Sequence, residues 1–133
     1  MKDNINPSHY KSHPSGVECI EITEHMDFCF GNAFKYAWRA GQKGSAVEDL
    51  RKAVWYLERA KPTRSIRGIS KVTLRAKMFM VSRFETDLLK RELLTAIWRM
   101  TLTRGDFLLN KTVALGIADK MIENALSKPE GGA

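Results

Sequence analysis

Apolar residues recur at helical spacing along most of this chain, and the places where the spacing breaks divide it into elements. Phe30, Ala33, Phe34 and Ala37 fall at i, i+3, i+4 and i+7, the signature of one buried helix stripe. Asn32, Lys35, Tyr36 and Arg39 repeat the same intervals on another face. Gly41 and Gly44 then bracket Gln42 and Lys43 and predict a break. Ser45 opens a second helix, with Glu48 three residues on in capping-box spacing. Val47, Leu50, Ala53, Val54 and Leu57 give this helix an apolar face, and Asp49, Lys52 and Tyr56 lie on a different one. The pattern over residues 31–57 is helix, glycine loop, helix, and the other segments arrange themselves around it.

Residues 1–15 are polar, and Asn6-Pro7 and His13-Pro14 predict an extended arm. A short helix is predicted over 17–27, apolar through Val17, Cys19, Ile20, Ile22 and Met26, with Glu18 and Glu21 projecting at i, i+3. Asp27 to Gly31 reads as the turn into the hairpin. Lys61-Pro62 must stop or kink the second hairpin helix, which sets a boundary near 61–65. Two regions follow, 1–61 and 62–133, the second packed on the first. Residues 66–85 are predicted helical, although Val72-Thr73-Leu74 and Met78 to Val81 also fit strand. Asp87–Thr101 and Phe107–Leu126 are further helices, separated by an Arg104-Gly105-Asp106 turn, and Ser127–Ala133 should be loose. The fold class is all-α, a compact helical domain around the hairpin.

At 133 residues the chain can bury a real core in one domain without disulfides or metal. Its longest apolar runs are far too short to cross a bilayer, so no membrane contact is expected. The start MKDNINPSHYK has no apolar segment of the kind a signal peptide carries. Cys19 and Cys29 do not make a disulfide scaffold, and a reduced, cytoplasmic setting is expected. The net charge of +7 is unevenly placed. Residues 1–60 hold eight Lys/Arg and eight Asp/Glu, whereas 61–133 hold fourteen and seven, so the whole excess lies in the second region. Lys61, Arg64, Arg67, Lys71, Arg75, Lys77 and Arg83 fall within 61–84, which has no acid. Such a block attracts polyanions, nucleic acid included, although a solvated helix face is the commoner explanation.

The hairpin itself carries the best candidate chemistry. A glycine loop that feeds a helix N-terminus offers free backbone N–H groups to an anion. Lys35, Arg39, Lys43 and Lys52 can surround that place, with the N–H groups at Ser45 to Val47 assisting, and Tyr36, Trp38 and Tyr56 are available to stack on a ring. The plainer alternative is a two-helix core with a solvated basic face. No Walker A sequence, GxGxxG or nucleophile elbow is present, which argues against a standard P-loop kinase or a Rossmann enzyme. Glu18, Glu21 and Glu24, with Glu48-Asp49, are the residues that would hold a magnesium ion bridging phosphates. The all-α nucleotide pyrophosphohydrolases use such paired acidic motifs, but here the second is thin and capping explains Glu48. His9, His13, Cys19, His25 and Cys29 match no paired zinc spacing. His9-Tyr10 sits in the polar arm, where it can close over a ligand.

Several of these pieces occur together in one order. Asn6-Pro7-Ser8-His9-Tyr10 is followed by Gly16-Val17-Glu18-Cys19-Ile20-Glu21, by the run Gly31 to Gly44, and by Glu48 to Leu57. Over residues 4–60 this set resembles the small phage and prophage domain found in the nucleotide kinase of bacteriophage T-seven. The resemblance implies a phage or prophage origin and one pocket containing the Asn6–Tyr10 arm, Glu18, Lys35, Tyr36, Arg39, Lys43, Asp49, Lys52 and Tyr56. It also implies a link to deoxynucleoside phosphates, since one member of that family resembles a monophosphate kinase that lacks a Walker motif.

The resulting expectation is a nucleotide-binding protein of the bacterial host cytoplasm, resembling a nucleoside monophosphate kinase without a P-loop. In it Lys35, Arg39 and Lys43 hold phosphates, Tyr36 or Trp38 stacks on the base, and His9 and Tyr10 close the site. Glu18 or Asp49 orients a hydroxyl or holds magnesium. Asn32, Ser45, Lys52 and Tyr56 complete the binding face, and a homo-oligomer is expected to complete the pocket. Two alternatives stay open: a module that binds or sequesters nucleotides without turnover, and a nucleic-acid or host-protein binder working through 61–84.

Overall fold

The computed structural model describes residues 13–62, 68–102 and 105–128. Among the described residues run six α-helices and no strand: α1 (Ile20–Thr23), α2 (Phe28–Arg39), α3 (Ala46–Arg59), α4 (Lys71–Phe84), α5 (Leu88–Leu102) and α6 (Phe107–Leu126). The fold is all-α.

Local chemistry sets most of the helix starts. The Asp27 side chain accepts the Phe30 N–H, Ser45 Oγ accepts the Glu48 N–H and Ser70 Oγ accepts the Thr73 N–H, each at 3.1 Å. Each bond satisfies one of the donors that a helix N-terminus leaves without a partner. The Asp27 cap corrects the sequence-based expectation in two places. The helix expected over 17–27 shrinks to the four residues of α1, and α2 begins at Phe28, so Gly31 lies inside a helix and not in a turn. That glycine has a packing role. A Cβ on it would lie 3.3 Å from the Thr23 carbonyl oxygen, so its absence lets α1 sit close against α2. The segment left between helix and strand is α4, with Ser70 as its cap.

Packing then closes a ring. α2 packs on α3, α3 on α6, α6 on α5, and α5 back on α2; α4 packs on α5, and α1 joins α2 to α4. Phe30, Phe34, Leu50, Leu57, Leu93, Leu94, Ile97 and Met100 belong to one buried cluster with Phe107, Ala114 and Ala118 of α6. Phe30 meets Phe107 edge-on at 6.1 Å between ring centroids. Fully burying a side chain of this kind contributes about 1.5–3 kcal/mol, against about 0–1 kcal/mol for an exposed ion pair. The cluster therefore holds the fold, and exposed pairs such as Lys52–Glu48 and Lys120–Glu123 contribute little.

Two lysines from the second half close the ends of the hairpin helices. Lys90 Nζ of α5 donates to the carbonyls of Trp38 (3.0 Å) and Ala40 (2.7 Å) at the end of α2. Lys111 Nζ of α6 donates to those of Glu58 (2.9 Å) and Ala60 (3.3 Å) at the end of α3. Each places a cation on the negative end of a helix dipole, where late carbonyls lack partners.

Candidate functional site

Residues 40–45 join α2 to α3, with Gly41 (φ 86°) and Gly44 (φ 70°) in the left-handed region that a side chain resists. This turn lays the two helices side by side, and their shared outer face holds most of the residues singled out above. Tyr36 of α2 and Tyr56 of α3 stack with ring centroids 6.0 Å apart and planes 9° from parallel. Lys35 Nζ lies 4.6 Å and Lys52 Nζ 5.3 Å from the Tyr36 ring centre. Both ammonium groups therefore sit against the negative face of one ring, a cation–π arrangement. Phe28 and Trp55 meet Tyr56 edge-on at 5.6 and 5.0 Å, and the Arg59 guanidinium covers Trp55 at 3.5 Å.

Arg39, one turn beyond Lys35, pairs with Asp49 across the helices (Nε to Oδ1, 3.5 Å). Asp49 is only 3 % exposed, and its Oδ2 has no hydrogen-bond partner among the described residues. Burial pushes its carboxyl above the usual range; Arg39 and Lys52 pull it down, Glu48 adds to the rise, and burial prevails. Among the sequence-predicted site residues, then, Lys35, Lys52 and Tyr56 all meet Tyr36, with the Arg39–Asp49 pair on the same two helices. The Asn32 amide donates to the Phe28 carbonyl (2.8 Å), so it is engaged within its own helix. Ser45 caps α3, and with Val47, Glu48, Arg51, Lys52 and Trp55 it lines a shallow groove of about 450 Å³. Lys43 is exposed in the turn.

Glu18 precedes α1, and its backbone N–H donates to Glu21 Oε2 (2.6 Å). Glu21 also takes Lys77 Nζ at 2.9 Å, and these bonds, the Glu18 N–H first, hold its carboxyl below the usual range. Cys19, next in the chain, is buried, and burial pushes its thiol up to about 12 with the charge of Lys35 opposing. Among the described residues no group of three or more His, Cys, Asp or Glu side chains converges as a metal site would need.

One placement is corrected outright. Trp38 is 1 % exposed, packed on Phe34 and on the His13 ring 4.7 Å away, and so is closed to a stacking ligand. The reason is spacing: Phe30, Phe34 and Trp38 are four residues apart and fall on one buried stripe. His9 and Tyr10 lie outside the described residues, as do Arg64 and Arg67.

Sequence reasoning missed a polar cluster beneath the turn. His13 is buried; its Nδ1 accepts the Ser15 N–H (3.1 Å), which puts the ring proton on Nε2, facing Glu85 Oε1 at 3.3 Å. Burial holds its pKa below 6.5, Glu85 opposing and Lys90 adding a smaller push downward. Lys90 is only 6 % exposed, and burial lowers its pKa while Glu85, Asp87 and Asp49 oppose. A signal for Lys90 was present: with Leu93, Leu94 and Ile97 it forms an i, i+3, i+4, i+7 stripe, which puts a lysine on the buried face. Nothing local marks His13 or Glu85, which meet across 72 positions of chain.

Residues 5–58 match a protein family of unknown function, DUF3310. The matched segment takes in α1, α2, the glycine turn and all but the last residue of α3. Every hairpin residue discussed above except Arg59 and Ala60 lies within it, and α4, α5 and α6 lie beyond it. No curated protein and no solved structure matches the chain. No helix among the described residues is long and apolar enough to cross a membrane.

Proposed function

We propose that the outer face of the DUF3310 hairpin binds a nucleotide through its phosphates. The observation that carries this is the convergence of Lys35 and Lys52 on the Tyr36 ring beside the stacked Tyr56, with Arg39 one turn away. Cations around an aromatic pair suit a ligand that joins a polyanion to a flat ring. The α3 N-terminus adds to this, because Ser45 occupies the Glu48 N–H and leaves the earlier N–H groups of the helix to an anion. Lys35, Lys52 and Arg39, with Lys43 from the turn, hold phosphates, and Tyr36 and Tyr56 meet the base or sugar.

The narrower reading is a phage nucleoside monophosphate kinase without a P-loop, supported by the resemblance over residues 4–60. Positioning and charge neutralisation do most of the work in phosphoryl transfer, and this face supplies cations for both. Asp49 is the candidate hydroxyl-orienting carboxylate. Its engagement with Arg39 and its burial favour the second reading, binding without turnover.

The test is thermal denaturation against ribo- and deoxynucleoside mono-, di- and triphosphates, with and without magnesium. A ligand at a hundred times its Kd stabilises the native state by about 2.7 kcal/mol. A shift with a subset of nucleotides, lost in Lys35→Ala/Lys52→Ala, is the expected result. Those two residues suit the test better than Arg39, whose removal strands the buried Asp49. No shift at millimolar nucleotide defeats the proposal. Incubating the stabilising monophosphate with ATP and following ADP release then separates kinase from binder.

A further inference from the structure

The second half of the molecule carries a groove that the hairpin does not explain. α4 and α6 both pack on α5, and the space between them has α5 as its floor. One part, about 210 Å³, is lined by Arg75, Phe79 and Ser82 of α4 with Thr95, Trp98 and Arg99 of α5, among others. The next, about 430 Å³, shares Ser82, Thr95 and Arg99 and continues to Arg91, Leu109, Val113 and Ile117. The two form one continuous trough. Its apolar rim is open to solvent: Phe79 is 64 %, Leu109 65 % and Val113 44 % exposed. An exposed apolar strip of this kind on a charged protein marks a contact surface more often than chance.

Charge decides what fits. Arg75, Arg91 and Arg99 line the trough against the single acid Glu92, and none of the three arginines forms an ion pair among the described residues. We infer that this α4–α5–α6 trough docks an acidic amphipathic helix of another protein, its apolar residues seated between Phe79 and Leu109–Val113 and its carboxylates on Arg75, Arg91 and Arg99. A helix laid in a groove presents apolar anchors at i, i+3, i+4 and i+7 and flanking charges that set partner and register. A second copy of this chain is disfavoured, because its own excess of positive charge lies in this same half. Nucleic acid is disfavoured as well, because Phe79 is the one exposed aromatic among the described lining residues, Trp98 being buried, and Leu109, Val113 and Ile117 are aliphatic and offer bases little to stack on. This surface is separate from the nucleotide face, so either proposal can fail without the other.

The experiment uses the full chain and fluorescein-labelled synthetic peptides, read by anisotropy at near-physiological salt. One peptide carries leucine at i, i+3, i+4 and i+7 with glutamate flanks; a second has lysine in place of glutamate; a third scrambles the first. Labelled single-stranded and duplex DNA are run in parallel. The glutamate peptide is expected to bind, and the other two to bind at least about tenfold more weakly. Arg75→Glu/Arg99→Glu and Leu109→Asp/Val113→Asp should each weaken it about tenfold or more, at unchanged circular dichroism. All four positions are exposed, so the variants should fold. Should either variant unfold, amide chemical-shift changes in the wild type, confined to α4, α5 and α6, are the deciding measurement. No binding by the glutamate peptide, binding indifferent to both variants, or DNA binding that the arginine variant alone abolishes, each overturns the inference.

Discussion

Replacing Lys90 by methionine is the sharpest test of how the two halves are joined. Methionine keeps the length and packing of the stem but removes the ammonium that donates to the Trp38 and Ala40 carbonyls. Leaving a buried carbonyl unsatisfied costs about 1–3 kcal/mol, so two cost about 2–6 kcal/mol. Against this, the variant no longer desolvates a charge, which relieves part of the loss. A net destabilisation of about 2–4 kcal/mol is expected, with a fall in Tm of roughly 3–4 °C per kcal/mol for a chain of this size. Urea denaturation followed by far-ultraviolet circular dichroism reads it directly, and an unchanged slope shows that the unfolded state is not what moved. The pH dependence is a second arm. The pKa of Lys90 is lowered in the folded state, so between that value and 10.5 the unfolded chain binds the extra proton and stability from this group rises with pH. The gap between wild type and Lys90→Met should therefore widen over that window. A variant within about 0.5 kcal/mol of wild type, with no pH trend, would show that the carbonyls do not depend on this lysine.

Other outcomes follow from the same geometry. The pKa of His13 lies below 6.5, so stability from this group is complete above 6.5 and is lost as pH falls through the folded value; His13→Gln should remove that slope from an acid titration of unfolding free energy. Asp49→Asn should cost less than about 1 kcal/mol, because burial already disfavours the charged carboxyl, whereas Arg39→Met strands that carboxyl and should cost more by the same urea assay. Gly41→Ala and Gly44→Ala should each cost about 1–2 kcal/mol through backbone strain alone, since neither added Cβ meets a neighbour.

Much of the fold could be read from spacing, and what could not be read has a common cause. Phe107–Leu126 is helical over the predicted span, and Phe30, Ala33, Phe34 and Ala37 are all fully buried. Both depend on interactions within a few turns of one helix, which local sequence encodes. Ser45 was legible as a cap, but Glu48 pairs with Lys52 at 3.4 Å in place of reaching back to complete the box. Trp38 was misjudged because an aromatic beside Arg39 was read by its chemistry before its register. The His13–Glu85 contact and the lysines closing α2 and α3 join residues some 50 to 72 positions apart, and no local pattern announces such partners. On the candidate face, spacing placed Lys35 and Tyr36 together on α2 and Lys52 and Tyr56 together on α3. It did not say that Asp49 would turn inward.

Lys90 and Lys111 bear on how far residues 5–58, the segment matched by the family model, stand as a unit. Its two long helices bury much of their inner faces against α5 and α6, with α1 adding to the cover of α2, and their last carbonyls are closed by side chains from α5 and α6. Without α5 and α6 the α2–α3 pair would leave the apolar surface of the shared cluster open to water. Cut free at residue 61, it would need a substitute cover, either another helical pair or a second subunit with cations at matching heights. The outer face has no such dependence, since its contacts run within and between α2 and α3. In this chain the matched segment is thus an outer surface whose interior the second half completes.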